Sequence, residues 1–162
     1  MKNLVDYILE LIAWLHVLGA ILWFGGILTL EFVITPSFKK SDAPNKADIL
    51  FHMGKQVGMA VTVSASLVLV TGVLRVWYVI GFDFGLLLDT FWGNVLILKI
   101  LLFFIFGALG GSMGKTLGTL TPQSSNEEVK IAFEKIKKTQ ILDVIVGVLI
   151  ILLAVTLRYN PI

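Results

Sequence analysis

The chain has 162 residues, 57% of them hydrophobic and 15% charged, a formal net charge of +2, and no cysteine. A soluble domain carries about 45–50% apolar and about 25% charged residues, so this composition points to lipid as the solvent. The small net charge and the lack of a basic–aromatic motif argue against nucleic acid as a partner, and the lack of cysteine excludes disulfides, thiolate catalysis and cysteine-ligated metal.

The start, Met1-Lys2-Asn3, is followed by Asp6 and Glu10. These acids ahead of a long apolar run argue against a cleaved signal peptide, so the first segment reads as a retained helix. A membrane-spanning helix needs about 20 mostly apolar residues, and four segments qualify. The first runs from about Ile8 to Ile34 and holds His16 and Glu31; Pro36 is expected to end it, and Ser41-Asp42-Ala43-Pro44-Asn45 reads as a turn. The second runs from about Val57 to Val79, with Arg75 near its end, and Gly81 to Asp89 joins it to the third. The third runs from about Phe91 to Met113 and contains Asn94 and Lys99. Gly114 to Gln140 follows, with a capping-box pattern at Ser125-Asn126-Glu127-Glu128. Val129, Ala132, Phe133 and Ile136 then recur at helical spacing, either as an amphipathic lead-in lying on the membrane surface or as a solvated extension of the fourth helix. The fourth runs from about Thr139 to Leu157, with Asp143 near its start.

Backbone groups in lipid must pair within their own segment, so helices are expected, and the alternation of a membrane barrel is absent. The predicted fold class is all-α, an integral membrane four-helix bundle forming one domain over residues 1–162, with the lipid bilayer as its first partner. The two longer polar connections carry Lys39, Lys40, Lys46, Lys55, Lys115, Lys130, Lys135, Lys137 and Lys138, against Lys2, Arg75 and Arg158 on the opposite side. This bias predicts a multi-pass protein of the cytoplasmic membrane with both termini outside.

Ionisable groups inside a membrane are costly and mark functional sites. His16 lies about eight residues from the outer end of its helix, roughly 12 Å down at about 1.5 Å per residue. Lys99 enters on the third helix from the same side to a similar depth, while Arg75 and Arg158 lie nearer that surface. Gly19, Ala20 and Trp23 share a helix face with His16, and Trp92, Phe103, Phe106 and Gly110 share one with Lys99. The small residues serve either close helix packing or a slot for a flat group; the aromatic stripe reads as core or as a pocket lining. A neutral imidazole in lipid is a ligand for haem iron or copper, which makes His16 a candidate metal ligand and Trp23, Lys99 and Arg75 candidate cofactor-binding residues. A second cluster on the lysine-rich side holds Glu31, His52 and Asp143, with Met53 and Met59 near His52. It reads as an inner metal site built on Glu31 and His52, or as ion pairs of Glu31 or Asp143 with Lys55 or Lys138. No catalytic residues stand out.

The stretch Trp14-Leu15-His16-Val17-Leu18-Gly19-Ala20-Ile21-Leu22-Trp23-Phe24-Gly25-Gly26 resembles the first helix of copper-resistance D (CopD) family proteins. Leu98-Lys99-Ile100-Leu101-Leu102 resembles the lysine-bearing apolar helix of that family. A related pattern occurs in small bacterial membrane protoporphyrinogen oxidases, four-helix proteins that hold b-type haem. The resemblance implies a membrane bundle with a redox role, in which His16 and Lys99 hold haem b or a quinone-like partner in the outer half for electron transfer. The alternatives are copper transport or copper tolerance without haem, and a structural membrane subunit. A redox or copper-handling protein partner and a homo-oligomer are further expectations.

Overall fold

The computed structural model describes residues 3–40, 45–81 and 83–159, and the side chains of all of these except Lys39, Lys40 and Lys138. The described residues are helical almost throughout, and four helices are long and apolar enough to cross a membrane. Helix α1 spans Leu4–Thr29 and passes through a π-helical turn, Leu30–Ile34, into α2, Thr35–Lys40. Helix α3 spans Lys46–Ile80, the short α4 Gly85–Leu88, α5 Phe91–Gly118 and α6 Asn126–Tyr159. Of the turn expected at residues 41–45, all but Asn45 lies outside the described residues.

Local chemistry sets the helix ends. The Asn3 side chain accepts from the Asp6 N–H at 2.9 Å, and the Asp6 carboxylate accepts the Asn3 N–H at 2.9 Å, so two orphan donors at the start of α1 are satisfied reciprocally. Thr90 Oγ1 accepts the Gly93 N–H at the start of α5. The capping box is present before α6: the Ser125 N–H reaches Glu128 Oε2 at 2.7 Å, and the Glu128 N–H returns to Ser125 Oγ at 3.3 Å. Gly81 closes α3 at φ 55°, in the left-handed region where a side chain would be strained.

Pro36 does not end the first membrane-spanning helix, contrary to the sequence expectation. A proline lacks the N–H that would bond four residues back, and its ring crowds that carbonyl. The turn before it is widened instead, with the Thr35 N–H bonding the Leu30 carbonyl, and the chain continues helical through Pro36. This widened turn has a consequence for the interior. Trp23, Ile27, Glu31 and Thr35 are all buried and four residues apart. In a straight α-helix a four-residue step overshoots a full turn by about 40°, so such a row drifts around the helix. The π turn takes back part of that rotation and keeps Glu31 and Thr35 on the side of Trp23 and Ile27.

Helix α1 packs mainly on α3, and α5 on α6. Glycines permit the close approaches: a Cβ at Gly19 would meet Leu67, Val68 and the Ser64 carbonyl of α3, one at Gly26 would meet Val61, and one at Gly147 of α6 would run into the Phe24 ring. The two pairs join through a central cluster of Trp23, Ile27, Phe106 and Val146. Large apolar side chains such as Trp14, Ile21, Leu101, Ile105 and Leu152 face outward, which is the pattern of helices solvated by hydrocarbon and not by water.

At about 1.5 Å per residue, the 35 residues of α3 and the 34 of α6 are roughly 50 Å long, well beyond a hydrocarbon core of about 30 Å. They overhang at the lysine-rich end. There Ala47, Leu50, Leu120, Val129, Ala132 and Phe133 form a second core, with Ile34, Phe38 and Leu117 against it. The stripe at Val129, Ala132, Phe133 and Ile136 is therefore buried against protein on one continuous α6, and lies neither on a lipid surface nor in solvent. The overhang of α3 supplies the apolar partner that the stripe needs.

Candidate buried cation site

Two polar constellations lie at different levels of the bundle. The first, at the end away from the lysines, gathers His16 from α1, Thr71 and Arg75 from α3, and Lys99 from α5. His16 Nδ1 lies 2.9 Å from Thr71 Oγ1, and the charges of Lys99 and Arg75 both act on the imidazole. Three of the residues singled out in the sequence are thus brought together. Trp23 is not among them. It lies in the central aromatic layer, edge-on to Phe106 at 4.6 Å and tilted against Phe103 at 4.7 Å between ring centroids.

That layer bears on the haem expected between the first and third membrane-spanning helices. A macrocycle there needs a slot beside His16 opened by Gly19, Ala20 and Gly110 and lined by Trp23 and Phe103. Gly19 instead faces the α3 backbone, Gly110 meets Ile27, and Trp23 and Phe103 touch each other. The chain's own side chains fill the slot, so the arrangement does not fit a haem.

The second constellation is at the lysine-rich end. Glu31, in the π turn, is 7% exposed, and Asp143, on α6, is 0% exposed. The Asp143 charge acts on Glu31, so the two carboxylates are neighbours. Among the described residues, none of their four oxygens has a hydrogen-bond partner. Such a pair is expensive: an unsatisfied buried polar group costs about 1–3 kcal/mol, more when charged, and a buried ion several kcal/mol. The expected ion pair with Lys55 does not form among the described residues, and the Lys138 side chain lies outside them.

Glu31 lines a cavity of about 330 Å³ whose wall also includes Thr35, Met53, Lys55, Met113 and Gln140. Gln140 donates to Thr35 Oγ1 at 3.3 Å across that wall, tying α6 to α2. His52 does not line the cavity. Its side chain is 64% exposed and turns back along α3, 3.2 Å from Asp48 Oδ1 and 3.0 Å from the Asp48 carbonyl. Met59, seven residues on from His52 and on the same helix face, is exposed as well. Met53, one position on from His52 and about 100° around the helix from it, reaches the cavity. Met113 of α5, which drew no attention in the sequence, joins it there; its only signal was a place on the α5 face that also carries Gly110.

Among the described residues no group of three or more His, Cys, Asp and Glu side chains comes together. The donors at the cavity are instead a carboxylate with a second carboxylate behind it, and two thioethers. Thioether sulfur is a soft ligand that favours Cu(I), and carboxylate oxygen adds negative charge, so the donor set fits a copper ion as cargo. The level of Lys99 and Arg75 does not, because two cations there repel a third.

The model of a protein family described as copper resistance protein D matches residues 56–157, from the first turns of α3 to near the end of α6. His16, Trp23 and Glu31 precede the matched segment, while Arg75, Lys99, Met113 and Asp143 fall within it. No curated protein and no solved structure matches the chain, and the similarity to protoporphyrinogen oxidases is not shown. With more than half of its length matched, the chain belongs to the copper resistance protein D family.

Proposed function

We propose that the protein handles copper within the membrane, taking the ion into the cavity at the lysine-rich end. Glu31 and Asp143 supply negative charge, and Met53 and Met113 supply sulfur. The observation that carries this reading is the pair of buried carboxylates that find no partner among the described residues. A structural pair of acids would be expected to hold donors; an unpartnered pair beside a cavity is an arrangement that a cation completes. Membership of the family supports copper as that cation, and the thioethers support its reduced form. The nine-to-three bias of lysine and arginine supports an orientation with the cavity toward the cytoplasm.

The test is the metal content of the purified full-length protein after exposure to copper and ascorbate. Wild type is expected to retain about one copper ion per chain, the number one set of two carboxylates and two thioethers accommodates. Glu31→Gln and Asp143→Asn are expected to lose it. His52→Ala, altering a side chain outside the cavity, is expected to retain it. A wild-type protein with no more copper than a detergent blank, or a Glu31→Gln protein that keeps its copper, would overturn the reading and favour a structural role.

A further inference from the structure

The copper reading leaves the opposite constellation without a task, and its hydrogen bonds are informative. Thr71 Oγ1 lies 2.5 Å from the Leu67 carbonyl oxygen. Two oxygens approach that closely only around a shared proton, and only the hydroxyl has one to give. Thr71 therefore donates to Leu67, and the 2.9 Å contact with His16 is a bond in which Nδ1–H donates to Thr71. In the neutral ring this leaves Nε2 as a bare lone pair. Thr71 is buried, so the bond that sets the ring is shielded. Gly72 backs the ring closely, since a Cβ there would lie 3.2 Å from His16 Cε1.

Around this oriented acceptor stand Lys99, partly buried on α5, and Arg75, exposed on α3. Among the described residues neither makes an ion pair with a carboxylate. The Arg75 charge acts on Lys99, and both charges act on His16. Two cations held together in an apolar medium repel each other, and an anion between them removes that repulsion.

We propose that His16, Arg75 and Lys99 form a second site, independent of the copper cavity, that takes the acidic head of a membrane amphiphile, a phosphate or a carboxylate. Arg75 meets the head from the lipid side, and its planar fork matches two oxygens of either group. Lys99 holds a further oxygen deeper in the bundle. The Nε2 lone pair of His16 accepts an O–H of a water beside the head.

The experiment uses the full-length protein in a neutral detergent, titrated in turn with oleate, with phosphatidylglycerol and with phosphatidylcholine, and reads bound amphiphile by native mass spectrometry. Oleate or phosphatidylglycerol is expected to bind at least about tenfold more tightly than phosphatidylcholine. Lys99→Gln and Arg75→Gln are each expected to weaken that binding about tenfold to a hundredfold, the worth of one charge-assisted contact. Lys130→Gln removes an exposed lysine at the far end of the molecule and is expected to bind as wild type does, which separates a site from general charge attraction. Binding of oleate alone assigns a carboxylate head, of phosphatidylglycerol alone a phosphate head, and of both an acidic head of either kind. Should Lys99→Gln fail to fold, Arg75→Gln decides, because its side chain is exposed. Equal binding of neutral and anionic amphiphiles, or wild-type affinity in Arg75→Gln, would overturn the proposal.

Discussion

Glu31 and Asp143 are the residues at which stability and function pull in opposite directions. Both are buried with no donor among the described residues, and the Asp143 charge acts on Glu31; a fold tolerates such a cost mainly where it serves a site. Neutral isosteres should therefore stabilise the copper-free protein. Glu31→Gln and Asp143→Asn are each expected to raise its melting temperature, by the equivalent of about 1 kcal/mol or more. Added copper should reverse the ranking. At a free copper concentration about 100 times the dissociation constant, wild type gains about 2.7 kcal/mol and the variants gain nothing. Thermal denaturation with and without copper reads both effects, and a lowered melting temperature for the copper-free Glu31→Gln protein would show that the carboxylate is a structural partner instead. The same residue scale explains how His52 and Glu31, adjacent by expected depth, part company. Neighbouring positions on a helix point about 100° apart, so Met53 faces the cavity while His52 faces outward.

The element that matters most is the π turn at Leu30–Ile34. Wider turns of this kind are frequent at functional sites, and here the turn sets the angle at which Glu31 and Thr35 meet the bundle interior. Pro36 holds it in place by withholding an N–H. Pro36→Ala restores that donor and permits a regular α-helix, which rotates the segment on one side of the turn relative to the other. Copper affinity is expected to fall about tenfold, the scale of a misaligned support for a metal ligand, although both carboxylates and both thioethers remain. Unchanged affinity in a protein whose helix content has risen would separate the turn from the site. The overhanging ends of α3 and α6 are the second element of note. They convert a short apolar stripe, which would otherwise be exposed, into a core on the lysine-rich side.

Across the bundle interior, two polar groups lie at different levels: Glu31 and Asp143, without partners among the described residues, near the lysine-rich end, and Arg75, Lys99 and His16 toward the other, with a layer of Trp23, Phe24, Phe103 and Phe106 between them. The division separates a place that suits cations from one that suits anions, and the aromatic layer closes the bundle between them. Lysine counts set the expected orientation, because basic loops are retained on the cytoplasmic side. A cysteine placed at Asn3 is expected to react with a membrane-impermeant thiol reagent in intact cells, and one at Ser125 only after the membrane is opened. Labelling of Ser125→Cys in intact cells would reverse the orientation and with it the side from which copper enters.

Long apolar runs were enough to establish the helices and the membrane, because hydrocarbon demands internally bonded backbone and apolar side chains over a set length. The capping box before α6 was legible for a similar reason, being made of residues three apart. The gathering of His16, Arg75 and Lys99 was legible from depth alone, since each is a rare polar group at one level of its helix. Depth says nothing about the azimuth of a side chain, and the rest of both sites depends on azimuth. Packing alone turned His52 away, brought Met113 of α5 to Glu31, and set Trp23 against Phe103 where a cofactor slot was expected. In lipid an apolar residue is at home on either face of a helix, so hydrophobic periodicity is weak, and only contact between neighbouring helices decides which face turns inward.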